Sequence, residues 1–255
     1  VAAQYEGMKV YKTGEELIHA PEVQAVVITS SDPSHAGYVL EALKAGKFVF
    51  CEKPLAQNAG DCEKIIAAET AYGRRLLQVG FMRRYDRGYA EMKRIIDSGE
   101  LGAPLMIHAC HRNVSQPDGF QTEMGVSNVA IHELDICRWL LGDEYESAQV
   151  LKVRQSACST KGYDNPQIVL LETKSGARID VEVQVADAYG YDIQCQVVCE
   201  KGTVNLPDPY AVVKRANASR SFPILTDWKD RFIEAYDIEL THWVKTLEEK
   251  GEPDG

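Results

Sequence analysis

Two short stretches hold residues whose types and spacing could do chemistry. The first is Cys51-Glu52-Lys53-Pro54, which follows the apolar run Phe48-Val49-Phe50. In an open α/β sheet that is the carboxyl end of a strand, where ligands bind. Pro54 has a fixed φ and constrains the turn that carries Lys53. The second is Asn128-Val-Ala-Ile-His132-Glu-Leu-Asp135. On a regular helix Asn128, His132 and Asp135 fall at i, i+4 and i+7 and share one face. A histidine near its ordinary pKa can take and return a proton close to neutrality. An ammonium can hold a hydroxyl oxygen and ease loss of its proton. Lysine and histidine together are suited to removing a proton from an alcohol while another group takes a hydride. Taken alone, Lys53 reads as a loop lysine, His132 as a satisfied, partly buried histidine and Asp135 as a helix-surface acid.

Other polar groups are open to two readings. Met82-Arg83-Arg84-Tyr85 follows an apolar strand and stands at its carboxyl end, with Arg84 read as a surface charge. His111-Arg112-Asn113 ends a strand, and it or His108 could be no more than a strand-end cap. Tyr191, in Tyr189-Gly190-Tyr191-Asp192, could be sheet packing. Asp32-Pro33-Ser34-His35 could equally be the N-cap turn of a helix.

These residues need elements to position them, and the chain supplies a regular alternation. Residues 10–19 read as a short strand and helix with Thr13 as N-cap. Val23–Ser30, with its run Ala-Val-Val-Ile-Thr, suits a strand buried on both faces. Helices are expected over Ser34–Ala45, Cys62–Tyr72 and Tyr89–Ile96, closed by Gly46, Gly73 and Gly99. Strands are expected over Lys47–Glu52 and Leu76–Phe81. That alternation implies a parallel sheet with right-handed crossovers. After Gly102-Ala-Pro104 the pattern changes. Leu105–Arg112 reads as a strand, 114–125 as a polar loop, and Val126–Leu141 as a helix. Strands follow at Ala148–Arg154, Ile168–Thr173, Ala177–Val185 and Asp192–Glu200, then a long helix at Trp228–Lys250. The expected fold is a Rossmann-type parallel sheet, incomplete at its amino end, followed by an α+β domain with a large, mainly antiparallel open sheet. The boundary is expected at 106/107.

Composition narrows the function classes. The 255 residues carry a formal net charge of −10, which argues against nucleic acid or an anionic membrane as partner. No run approaches the length of a bilayer span. Seven scattered cysteines form no Cys-x-x-Cys. They read as buried thiols in a reducing, cytoplasmic setting, with no metal site. No Gly-x-Gly-x-x-Gly occurs, so the chain is expected to begin inside a nucleotide-binding domain that lacks its first βαβ unit of ~30 residues. Val1 suggests a processed chain or a fragment, and the end at Gly255 reads as premature.

Together these motifs resemble the Gfo/Idh/MocA oxidoreductases, and within them the bacterial branch that oxidises inositols. The resemblance runs through Glu52-Lys53-Pro54, Gly80-Phe-Met-Arg-Arg-Tyr85, His111-Arg-Asn113, Ile131-His-Glu-Leu-Asp135 and Tyr189-Gly-Tyr-Asp-Ile-Gln-Cys195. It implies oxidation of myo-inositol or a related inositol to the inosose, with NAD as cofactor and NADP left open. It implies catalytic roles for Lys53, His132 and Asn128, and a nicotinamide side formed by Pro33, His35, Glu52 and Lys53. It implies a polyol pocket lined by Met82, His111, Asn113 and Tyr191. Residues 1–106 would be a partial dinucleotide-binding domain. Residues 107–255 would bind substrate and form a homo-oligomer, a tetramer. Asn128 departs from the family pattern, which has an aspartate there. Asparagine keeps a hydrogen-bond acceptor and loses the charge. The alternatives are a same-fold dehydrogenase for another cyclitol or sugar, and a catalytically silent polyol- or nucleotide-binding protein.

Overall fold

The computed structural model describes residues 5, 7–115, 119–159, 162–209 and 212–254. Val1, Gly255 and three residues of the 114–125 loop lie outside them. The chain divides into two compact units, residues 1–80 with 239–255, and residues 81–238.

The first unit contains α1 (Gly14–His19), β1 (Ala25–Ile28), α2 (His35–Lys44), β2 (Phe48–Glu52), α3 (Ala59–Tyr72) and β3 (Leu77–Gly80). The strands run parallel in the order β1-β2-β3, with Val26 opposite Val49 and Val49 opposite Leu77. Thr13 caps α1 by accepting from the Glu16 amide at 3.2 Å. The strand expected before it does not form. Asn58 caps α3 through the Asp61 amide, and Gly73, at φ 86°, ends it in the left-handed conformation that other residues rarely adopt. Val39, Leu43, Val49, Cys51, Ile65 and Leu76 form the core. β1 departs from expectation, because Val27 is 49% exposed and the strand buries one face only.

In the second unit a 3₁₀ turn at Met82–Tyr85 leads into α4 (Arg87–Ser98). Next come β4 (Pro104–Arg112), α5 (Ile131–Leu141), β5 (Tyr145–Lys152), β6 (Gln167–Thr173), β7 (Arg178–Gln184), β8 (Asp192–Cys199) and β9 (Gly202–Asn205). A small hairpin, β10 (Lys214–Ala216) with β11 (Ser219–Ser221), precedes α6 (Trp228–Lys250). The main sheet has the order β5-β6-β7-β4-β8-β9, and β4 with β7 is its one parallel pair. The parallel sheet and the mainly antiparallel one bear out the expected fold class. Along β6, β7 and β8 buried residues alternate with more exposed ones, so one face carries the core. Ile107, Val169, Ile179, Val181, Val183 and Val197 line it, with Tyr89 and Met92 of α4 and Ile136 and Leu140 of α5 in the same cluster. Cys195 and Cys199 both point into this side.

Two differences from the sequence reading concern the site. The boundary read at 106/107 falls inside β4, whereas packing divides the chain after Gly80. The cause is that α4 buries Tyr89 and Met92 in the second core. Glu239–Lys250 of α6 pack with the first unit, where Trp243 meets the Phe50 ring edge-on at 5.6 Å. The helix expected as one piece from Val126 is π-helical over Gly125–Ala130 and α-helical from Ile131. Asn128 therefore lies in the π-helical turn and His132 in the first turn of the α-helix.

Ile107 is fully buried on β4, the strand with a long partner on each side. Ile107→Ala should lower unfolding stability by about 2–5 kcal/mol, measured by urea denaturation. A loss well under ~1 kcal/mol would contradict this account of the core.

Candidate active site

In the first unit the chemistry stands at the carboxyl ends of the parallel strands. Glu52 ends β2 and Lys53 follows it, joined to Pro54 by a cis peptide bond. Both side chains are half-buried. Glu52 pairs in register with Gly80. A Cβ at Gly80 would stand 3.0 Å from the Phe50 ring and 3.2 Å from Glu52 Cδ, so glycine there leaves room for the carboxylate. Burial pushes the Glu52 carboxyl above its ordinary value, and the Lys53 charge opposes that rise. Pro33 is exposed in the 3₁₀ turn after β1.

His35 has a different part. It is 1% exposed, with Nδ1 2.8 Å from the Pro54 carbonyl and Nε2 3.0 Å from the Ser30 carbonyl. A carbonyl only accepts and a neutral imidazole has one N–H, so the ring donates to one of these two carbonyls, and through that bond His35 braces the strand-end loops. An exposed proline ring, a carboxylate and an ammonium at neighbouring strand ends fit the nicotinamide side of a dinucleotide, which in parallel sheets lies along this edge.

In the second unit the site is built on buried charge. Arg83 and Glu133 are each 1% exposed and form an ion pair. Glu133 Oε2 lies 2.9 Å from His111 Nδ1, and an Arg83 terminal nitrogen lies 3.1 Å from the same atom. His111 Nε2 faces Asn113 Oδ1 at 3.1 Å. The His111 ring lies 6.0 Å from the His132 ring and 6.0 Å, edge-on, from the Tyr191 ring. Four expected site residues, His111, Asn113, His132 and Tyr191, are therefore brought together. Met82 is buried in the adjoining core. Asn128 is half-buried and accepts from the Ser127 hydroxyl at 2.8 Å.

Burial drives the Glu133 carboxyl upward, but Arg83 and His111 outweigh it and hold it below the ordinary range. Burial lowers the His111 pKa, the Arg83 charge adds to that, and Glu133 only partly offsets them. Burial pushes the Tyr191 hydroxyl up to about 12, so it stays protonated.

Two side chains read as surface charges are partners. Arg84 grips Asp135 with two bonds, of 2.9 and 2.5 Å, and Asp135 is 9% exposed. Asp86 is paired to Arg231 of α6. The sequence reading assigned no part to Arg83, Glu133 or Arg231. The signal was present for the first two: two arginines directly after an apolar strand, and two acids within an otherwise apolar helix.

His111 and Glu133 both bind their protons more weakly folded than unfolded. Their stabilisation is complete above the unfolded values, 6.5 and 4.5, and is lost as pH falls below each. Glu52, with its raised carboxyl, has the opposite sign and belongs to the other unit. Urea midpoints of the second unit should therefore fall from about pH 7 to about pH 5.5, and more steeply below pH ~4.5. His111→Gln should flatten the first part of that fall. An unchanged profile in that variant would remove His111 from the account.

Comparison with known proteins places these features in a family. Residues 1–81 match the model described as an oxidoreductase family with an NAD-binding Rossmann fold, and residues 89–205 match the GFO/IDH/MocA C-terminal domain. The chain is 56% identical over 236 residues to an inositol 2-dehydrogenase of Ralstonia nicotianae, covering 92% of this chain and 70% of that protein. It is 53% identical over 239 residues to an inositol 2-dehydrogenase of Pseudomonas fluorescens, covering 94% and 71%. Among solved structures, the myo-inositol dehydrogenase of Lactobacillus casei, in complex with NAD(H) and myo-inositol, superposes with a TM-score of 0.92. It is 37% identical, over 97% of this chain and 74% of that one.

Proposed function

The chain belongs to the GFO/IDH/MocA oxidoreductase family, and on that premise we propose that it oxidises an inositol, myo-inositol foremost, at one ring hydroxyl to the inosose, with NAD as hydride acceptor. The observation that carries this reading is similarity, over more than nine-tenths of the chain, to relatives named inositol 2-dehydrogenase.

NAD, when bound, supplies the hydride acceptor; the side chains supply orientation and proton handling. His132 acts as the base that takes the hydroxyl proton, and returns it in the reverse direction. The Lys53 ammonium favours the developing alkoxide. Asn128 contributes a neutral acceptor in place of the family's carboxylate. His111, Asn113 and Tyr191, clustered with His132, read the polyol hydroxyls, and Met82 backs them. Pro33, Glu52 and Lys53 serve the nicotinamide side, and His35 holds their loops. The reading extends to a cytoplasmic homotetramer. Seven free thiols support the compartment. For the assembly, the outer face of the main sheet offers Met106, Ile168 and Leu170 as contact surface.

The test is NADH formation with myo-inositol. The parent protein should reduce NAD. His132→Ala should lower turnover about 10²–10⁴-fold while NADH binding, followed by fluorescence, is kept. Lys53→Met should behave alike. Undiminished turnover in His132→Ala would sink the general-base role. If the parent binds NADH yet reduces none, another polyol or a silent site is indicated. Asn128→Asp then chooses between them, because restored turnover identifies the lost carboxylate as the cause.

A further inference from the structure

The Arg83–Glu133 pair lies outside the reacting groups named above, yet it touches the one residue through which polyol reading would be oriented. Two neighbours converge on His111 Nδ1, Glu133 Oε2 at 2.9 Å and an Arg83 terminal nitrogen at 3.1 Å. An arginine can only donate and a carboxylate can only accept. Nδ1 cannot serve both: with a proton it gives to Glu133, and without one it takes from Arg83.

The charges decide between these states. A bare Nδ1 would set its lone pair 2.9 Å from a carboxylate oxygen, two acceptors face to face in a site of low dielectric. The Arg83 charge does not depend on Nδ1 for a partner, since its other terminal nitrogen bonds Glu133 Oε1. A doubly protonated ring would place two cations against one carboxylate. Burial and Arg83 both work against that.

We propose that the buried Arg83–Glu133 pair is a positioning device that holds His111 as the neutral imidazole protonated on Nδ1, and through it orients Asn113 toward the polyol. With Nδ1 protonated, Nε2 is an acceptor. The Asn113 side chain 3.1 Å away then donates its amide N–H to Nε2, an assignment of oxygen and nitrogen that follows from the hydrogen-bond network. The Asn113 amide oxygen is left to accept from a substrate hydroxyl. The chain of bonds has one direction, from Asn113 to His111 to Glu133, anchored by Arg83. The part concerning substrate rests on the polyol reading above; the tautomer does not.

The experiment has two readouts. The first is ¹⁵N NMR of the imidazole nitrogens in the intact protein, with no substrate present. His111 should show a protonated Nδ1 and a bare Nε2. The second is a double variant, Arg83→Met with Glu133→Leu. Removing both charges avoids the stranded buried ion that makes single changes unfold proteins. The double variant should fold, bind NADH as the parent does, lose the Nδ1–H signature and raise KM for the polyol. The expected rise is roughly ten- to hundredfold, by analogy with losing the orienting partner of a metal-ligating histidine, with a smaller change in kcat. A bare Nδ1 in the parent overturns the proposal. So does a folded double variant with unchanged KM and unchanged His111 signals, which would make the pair purely structural. If the double variant does not fold, the parent spectrum still decides the tautomer. A parent with the expected spectrum and no oxidation of any inositol would sink the substrate reading and leave the positioning device standing.

Discussion

The second unit depends on one buried ion pair. Arg83 and Glu133 are almost fully removed from water, and two charges in that position are costly unless each meets the other and further partners. The surroundings meet that demand. The Arg83 guanidinium lies 5.4 Å from the Phe232 ring centre, and Glu133 also contacts His111. The flanking residues make pairs of their own, Arg84 with Asp135 on α5 and Asp86 with Arg231 on α6. The short segment 83–86 is thus tied by three ion pairs to two helices. Losing one member of the central pair would leave a charge in the core with no water to replace its partner.

The sheet explains how residues distant in sequence reach that pair. β4 and β8 run antiparallel, with His111 opposite Ile193 and Arg112 opposite Asp192. The end of one strand therefore meets the start of the other, and Tyr191 arrives beside His111 although 80 positions separate them. Gly190 permits the approach: a Cβ there would lie 2.7 Å from the Leu225 carbonyl, the same carbonyl that accepts from the Tyr191 amide at 2.6 Å. α5 brings Glu133 and His132 to the same end. The first unit applies the strand-end rule more simply. Its parallel strands present Glu52 and Lys53 at one edge, and His35 ties the loops by a bond to main chain.

Much of this was legible from residue order alone. Apolar runs separated by helical spacing imply the parallel sheet, since strands buried in βαβ units lose the polar alternation seen later in the chain. The change to a mainly β pattern from Ser147 implies the second sheet. Glycines after helical runs mark ends that the structure keeps at Gly73, Gly99 and Gly142. The places of Lys53 and His132, after a strand and on a helix, were legible because strand ends and helices are local properties.

What the sequence could not determine depended on long-range pairing. Arg84 and Asp135 looked like surface charges because charge is a one-residue property, while burial is decided by what packs over it. The bracing contacts of His35 were not legible, because nothing local tells which carbonyls its ring will meet. The π turn at Gly125–Ala130 breaks a periodicity that the apolar stripe implied. The Arg83–Glu133–His111 network joins residues from a turn, a strand and a helix, and no spacing rule connects positions 50 and 22 residues apart. Local periodicity and residue type determined the elements and which side chains could carry chemistry. Only the tertiary structure decided which charges would share a dry interior, because the cost of burying an ion is settled by partners that the chain brings together last.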